Sequence, residues 1–390
     1  MKVYLDNGTT TQVAREVVDA MLPYFTEKFG HPLFLYSLGQ EAADAVEKAQ
    51  KTIARTINAA GEEIVFTSSA TEANDLAIRG IAHANRKAGN HIITTKIENP
   101  SVLKPCEMLE KDGFKVDYLD VDPQGFVNLE QLQKLINENT ILVSVAHVND
   151  EIGTIEPIEE VGKLLQKQKH KIYFHVNAAA SYARVPIDVK RGGVDLLSLS
   201  AHKIHGPKGV GALYLREHTK IAPVTYGYIS MFPLKPGTEN VPAIVGFSKA
   251  AEIAFDSFEK NVNHMRNLQE KLMNGIEEKI SHVVLHGPRG EKRSPANVNY
   301  SFKYVEGESV LLHFDLNGIS VATGSACATR KLEPSHVLTA IGVIPEISHG
   351  AIRFTLSRYN TGEEIDYVLD VLPKVIENLR RISPVKPGAF

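Results

Sequence analysis

The sequence predicts an α/β protein: a large domain built on a mostly parallel seven-stranded sheet, followed by a smaller α+β domain. Two observations carry this. Short apolar runs at 64–67, 91–95, 116–121, 141–148, 172–176, 195–200 and 211–216 alternate with helical stretches. The runs are continuously apolar rather than alternating, as strands covered on both faces read. Beyond residue 240 the alternation stops, and strands at 297–302 and 352–356 mix with helices at 308–316 and 363–382.

In chain order, a helix is expected after Thr9, Thr10 and Thr11, with Val13, Val17, Met21 and Phe25 on one face. A second carries Ala42, Val46, Ala49, Ile53 and Ile57 at helical spacing. After the strand region, one long helix is expected from about 242 toward 280, with a stripe of Val262, Met265, Leu268, Leu272 and Ile276. Ligands of such sheets sit at the carboxyl ends of the strands. That rule selects the loops 68–71, 96–101, 149–152, 177–181 and 200–203.

Composition narrows the function classes. The 390 residues are 43% hydrophobic and 23% charged, with a net charge of −3. This is ordinary globular composition, and it offers no basic footprint for nucleic acid or an anionic membrane. The expected location is cytoplasmic: no apolar run reaches the length of a membrane span, and the first residues lack a signal-peptide core. Two cysteines, Cys106 and Cys327, cannot make a disulfide framework, and nothing resembles a zinc quartet.

Two segments carry chemistry. Ser69-Ala70-Thr71-Glu72 follows a strand and opens a helix. Taken alone it reads first as a helix cap, although a helix N-terminus with free N–H groups is also a ready phosphate site. The stretch SLSAHKIHGPKGVGALYLR, residues 198–216, places Ser200, His202 and Lys203 at the end of an apolar strand. Hydroxyl, imidazole and amine there suit a phosphate and a reactive lysine, whose amine needs an apolar setting. Lys208 follows Pro207 in a turn and reads as a solvated loop lysine.

The stretch S-x-S-A-H-K-x-x-G-P-K-G-x-G resembles the cofactor-lysine motif of the cysteine desulfurases, in the class V aminotransferase group. YLDNGTTT (4–11), FTSSATEANDLAI (66–78), HVNDEIGTIEPI (147–158), PGTENVPAIVGF (236–247), TGSACATRKLEPSHVL (323–338) and IRFTLSRYNTGEEID (352–366) fit the same family in its order. The resemblance implies the fold-type-I pyridoxal 5'-phosphate architecture, a large cofactor domain over 15–260, and a small domain formed by 1–14 and 261–390. It also implies a homodimer with the active site at the subunit interface. Lys203 would be the Schiff-base lysine. Ala70, Thr71, Ser200 and His202 would form the phosphate cup, with Thr238 reaching in from the partner subunit. Asn99, Asp150 and Asn177 would line the cofactor, and Arg353 would clamp the substrate carboxylate. Cys327, in a small-residue loop, would accept sulfur from L-cysteine, leaving L-alanine. An iron–sulfur scaffold or a thiolation protein would be the acceptor. Cys106 has no comparable context and is assigned to the core.

The departures from the family pattern cluster around the cofactor ring. The stacking histidine is replaced by Asn99, the aspartate beside the pyridinium nitrogen by Asn177, the glutamine on the phenolate oxygen by Ala180, and an asparagine by Asp150. The pocket-mouth loop has become Gly30-His31-Pro32-Leu33-Phe34-Leu35-Tyr36, and Lys235 stands where an arginine is usual. A neutral amide at 177 cannot hold the ring nitrogen protonated as a carboxylate does, a loss of roughly 3 kcal/mol of carbanion stabilisation. Asn99 cannot shuttle protons as an imidazole can. Two further readings follow: a different pyridoxal-phosphate activity such as a lyase or transaminase, or a partner protein of iron–sulfur assembly with Cys327 as a cluster ligand.

Overall fold

The computed structural model describes residues 1–228, 230–323 and 334–384. A short strand β1 (Val3–Tyr4) leads into helices α1 (Arg15–Met21), α2 (Pro23–Thr26) and α3 (Ser37–Arg55). The large layer follows as β2 (Ile64–Thr67), α4 (Ala70–Asn85), β3 (His91–Thr95), α5 (Pro100–Lys111), β4 (Lys115–Leu119), α6 (Leu129–Leu135), β5 (Thr140–Ala146), α7 (Ile158–Gln166), β6 (Tyr173–Asn177), β7 (Leu196–Ser200) and β8 (Gly211–Leu215). These strands form one seven-stranded sheet in the order β2-β8-β7-β6-β5-β3-β4. β8 pairs antiparallel with both neighbours, and the other pairs are parallel. Helices pack on both faces: α1, α3 and α8 (Val241–Asp256) enclose one apolar core, and α4 and α5 enclose another. That double cover explains why β3, β5, β6 and β7 are buried at every position.

Two helix expectations need correction. The first helix ends at Met21, and Phe25 lies 59% exposed on α2 instead of continuing the buried face. The long helix is broken at Ser257 into α8 and α9 (Phe258–Lys279). Ser257 leaves helical backbone, at φ −122° and ψ 26°, and Phe255 stacks on Phe258 across the break, ring centroids 5.5 Å apart. Both halves keep apolar stripes, so periodicity alone runs through the junction.

The remaining elements are β9 (Val283–Leu285), β10 (Asn297–Phe302), α10 (Gly307–Leu316), β11 (Ile319–Ser320), β12 (Ala322–Thr323), α11 (His336–Ala340), α12 (Pro345–Ser348), β13 (Ala351–Thr355) and α13 (Gly362–Ile382). β12, β13, β10 and β9 form an antiparallel sheet, and β1 pairs parallel with β11. Val3 and Leu5 share one core with Met265, Leu272, Phe354 and Leu372. The chain start is thereby tied to its last third, which sets Asp6 and Thr9 beside β13. No described helix is long and apolar enough to cross a membrane.

Candidate active site

Five loops at the carboxyl ends of parallel strands, or beside them, converge on one cleft of about 150 Å³. It is lined by Ala70, Thr71, Asn99, Asp150, Asn177, Ala180, Ser200, His202 and Lys203 among others. A larger groove of about 820 Å³ runs between the chain start and Tyr359, but exposed Lys2, Lys208 and Asp315 line it and it lies off the strand ends. The smaller cleft is the one that gathers convergent polar groups.

One wall is the start of α4. Ser69 is the N-cap, and its Oγ accepts from the Glu72 N–H at 3.1 Å. Ala70 and Thr71 stand in the first turn, where N–H groups have no intrahelical acceptor. Beside them Ser200 Oγ is buried without a hydrogen-bond partner. Gly211 permits this approach: a Cβ there would lie 2.6 Å from Ser69 C and 2.8 Å from Ala70 N. A helix N-terminus, an orphaned hydroxyl and a neutral imidazole fit the phosphate of pyridoxal 5'-phosphate. The imidazole is that of His202, pushed down to about 4 by burial, with Lys203, Lys208 and Arg184 adding to the effect.

Lys203 lines the floor. Burial lowers its amine below the ordinary lysine value, against the pull of Asp150, and Arg184 and Arg353 reinforce the shift. Its backbone is fixed twice. Thr11 donates from N and Oγ1 to His202 O, at 2.9 and 2.7 Å, and Arg184 Nη2 donates to Lys203 O at 3.0 Å. A lysine amine with a lowered pKa, in reach of a phosphate cup, suits capture of a carbonyl cofactor.

The ring-facing positions have their own local bonding. Asn99 is the N-cap of α5: its Oδ1 accepts from Ser101 N and Oγ at 3.0 and 2.8 Å, while its Nδ2 donates to Asp150 Oδ2 at 3.1 Å. Pro100 at the next position presets the helix start. Asn177 Oδ1 accepts from Ala179 N at 3.2 Å. Burial pushes the Asp150 carboxyl up, but Lys203, Arg353 and the Asn99 amide together bring it below the ordinary carboxylate range.

Arg353, in the middle of β13, is not among the residues lining the cleft and meets it through the lining residue Asp150. It donates to Asp150 O at 3.2 Å, to Thr9 Oγ1 at 3.0 Å and to Asp6 Oδ1 at 3.4 Å. Its Nε is buried with no partner. Thr238 is exposed on the loop before α8 and is not among the residues lining the cleft of its own chain. Cys327 lies outside the described residues. Cys106 is in the core packed by α4 and α5, and burial raises its thiol.

Sequence reasoning missed Arg184, Asp6 and Glu98. Arg184 is buried and spends its donors on the carbonyls of Ala180, Asn7 and Lys203. The available signal was an arginine four residues beyond Ala178-Ala179-Ala180, after the uncharged stretch Ser181-Tyr182-Ala183. Asp6 lay inside a quoted motif without a role, and Glu98 is fully buried next to Asn99.

The aminotransferase class-V family model matches residues 3–368. The cysteine desulfurase IscS of Dictyoglomus turgidum is 49% identical over 385 residues, covering 99% of this chain and 97% of that protein. The cysteine desulfurase IscS of Methanosarcina thermophila is 47% identical, covering 100% and 95%. Among solved structures, a NifS-like protein superposes with a TM-score of 0.91 at 37% identity, covering 97% of this chain and 100% of that one. The backbone that carries Ser200, Lys203 and Arg353 is thus shared with the NifS-like structure. The chain belongs to the class-V aminotransferase family, and within it to the pyridoxal-phosphate-dependent cysteine desulfurases.

Proposed function

We infer that the cleft takes L-cysteine and that Cys327 receives its sulfur. The observation that carries this is the Lys203 amine sharing one cleft with Ser200 Oγ and the first turn of α4. Ala70, Thr71, Ser200 and His202 hold the cofactor phosphate, and Asn99, Asp150 and Asn177 border its ring. The bound cofactor supplies an electron sink for the substrate α-carbon. Arg353 orients the substrate carboxylate through its planar guanidinium. The Lys203 amine takes the α-proton, a task that its burial favours by lowering it below the ordinary lysine value. The substrate C–S bond breaks, an S–S bond forms at Cys327 Sγ, and L-alanine leaves. The Cys327 persulfide then passes to an iron–sulfur scaffold or a thiolation protein of the cytoplasm.

The working unit in this reading is a homodimer in which Thr238 completes the partner's phosphate cup. The exposed run Leu33, Phe34, Leu35 and Tyr36, near exposed Phe25 and Phe29 in sequence, supports an interface there. The reading is tested by two variants. Cys327→Ser is expected to abolish cysteine-dependent sulfide release while keeping the visible cofactor band, and Lys203→Ala to remove the band. Equal sulfide release from wild type and Cys327→Ser would overturn the role of Cys327.

A further inference from the structure

Arg184 is buried against two cleft residues, Ala180 and Lys203, without lining the cleft itself. Its guanidinium bonds go to main-chain carbonyls. Nη1 donates to Ala180 O at 3.2 Å, and Nη2 donates to Asn7 O at 3.2 Å and to Lys203 O at 3.0 Å. These carbonyls belong to the loop after β6, the chain start and the lysine loop. Among the described residues no carboxylate pairs with it. The two acids near this floor are held by other groups. Asp150 Oδ2 accepts from Asn99 Nδ2, while Asp6 Oδ1 accepts from Thr9 Oγ1 at 2.8 Å and pairs with Arg353. Burial brings the Arg184 guanidinium down to about 10, which leaves it charged at neutral pH. The preceding Ala183 is held at a left-handed φ of 58°, a strained conformation for a residue with a Cβ. A buried cation without a counter-ion is costly, and a neutral amide could donate to carbonyls without that cost. What only a cation supplies is charge.

We propose that Arg184 is a positioning residue for Lys203: it fixes the main chain of that lysine and supplies a permanent positive charge that acts on its side-chain nitrogen. The inference rests on the reading of Lys203 as the cofactor lysine. A fixed cation disfavours a second positive charge on Nζ, whether the amine is free or bonded to the cofactor. The free amine already feels this. Burial lowers it most, Asp150 opposes, Arg184 and then Arg353 add to the lowering, and Asp6 opposes. The adjacent His202 is neutral at pH 7. Arg353 is paired with Asp6, which offsets its push, whereas Arg184 has no such partner among the described residues. The lysine loop also has a second support, since Thr11 Oγ1 donates to His202 O at 2.7 Å. Main-chain support is therefore shared, and the unpaired charge comes from Arg184.

The test is a pH titration of the visible cofactor band in the full-length protein loaded with pyridoxal 5'-phosphate. Arg184→Gln keeps a donor for the carbonyls and removes the charge, whereas Arg184→Lys keeps the charge and loses the planar fork. In Arg184→Gln the midpoint of the titration is expected to rise by about one pH unit, as loss of one nearby buried charge predicts. In Arg184→Lys it is expected to stay close to wild type. Arg184→Met removes the charge without burying an amide; it is expected to move the midpoint as Arg184→Gln does, and it decides the matter should Arg184→Gln fail to fold. An unmoved midpoint in the uncharged variants would overturn the proposal. So would a rise in Arg184→Lys as large as theirs, which would leave Arg184 a support of the main chain alone. Lys203→Ala tests the underlying reading separately. A band that survives there would overturn the lysine assignment itself, an outcome distinct from an unmoved midpoint.

Discussion

The amide at position 177 is a single-atom change with a calculable consequence. Asn177 is buried at the carboxyl end of β6, and its Oδ1 accepts from Ala179 N. Asn177→Asp keeps that acceptor and exchanges the Nδ2 group for a second oxygen, so the backbone bond survives. If residue 177 faces the cofactor ring nitrogen, as the proposed function has it, the variant would supply a carboxylate there, a preorganised charge worth about 3 kcal/mol where charge develops. The expected outcome is a rise of one to two orders of magnitude in the turnover of cysteine-dependent sulfide release. A rate unchanged or lowered would mean that the wild-type cleft requires the neutral amide. Whether a site residue was legible in the sequence depended on how local its partners are. Ser200, His202 and Lys203 were readable because one strand end delivers all three. Arg184 was not, because its meaning lies in a carbonyl 177 positions away, that of Asn7.

At the scale of elements, the seven strands of the large sheet were legible to within two residues, whereas β1, β9, β11 and β12, of two or three residues each, were not. The expected strand at 297–302 is β10, and the expected strand at 352–356 is β13 displaced by one residue. Continuous apolar runs mark the strands of the large sheet, covered on both faces, whereas β10 is legible from the polar–apolar alternation of Asn297-Val298-Asn299-Tyr300-Ser301-Phe302. Helix junctions were less legible: the break at Ser257 changes backbone direction without interrupting the apolar stripe. The junction that matters for function is β8 against α4. Gly211 has ordinary negative φ, so its role is space: Leu199 O stands 2.7 Å and Ala70 N 2.8 Å from where a Cβ would be. Gly211→Ala must therefore push the start of α4 away from Ser200, widening the phosphate cup. Overpacking of this kind costs about 1–3 kcal/mol. The expected outcome is a cofactor dissociation constant raised tenfold or more, with the fold retained. Cofactor affinity equal to wild type would show that the cup does not depend on the β8–α4 contact.

The whole molecule carries an electrostatic cost that the cleft alone does not reveal. Behind the cleft, Glu98 is fully buried: Ala146 N donates to its Oε1, and its Oε2 has no partner. Burial pushes its carboxyl up to about 8, the N–H groups of Ala146 and Asn99 oppose the shift, and Asp150 adds to it. Burial likewise raises Glu156 to about 8 and Glu151 to about 7. These groups keep their protons in the folded state at pH values where the unfolded chain, titrating near 4.5, has lost them. The folded state thus binds more protons than the unfolded one from about pH 4.5 to about pH 8, and stability falls as pH rises through that window. None of this was legible in sequence, because a glutamate between Ile97 and Asn99 carries no mark of its burial. Glu98→Gln keeps the acceptor for Ala146 N and removes the ionisation. Against wild type it is expected to gain on the order of 2 kcal/mol above pH 8, and to gain little at pH 5, where the wild-type carboxyl is already protonated in the folded state. Denaturant unfolding of both proteins at the two pH values measures the difference. An equal gain at pH 5 and above pH 8 would place the effect in packing; no gain at either would mean that Glu98 ionises in the folded protein at no cost.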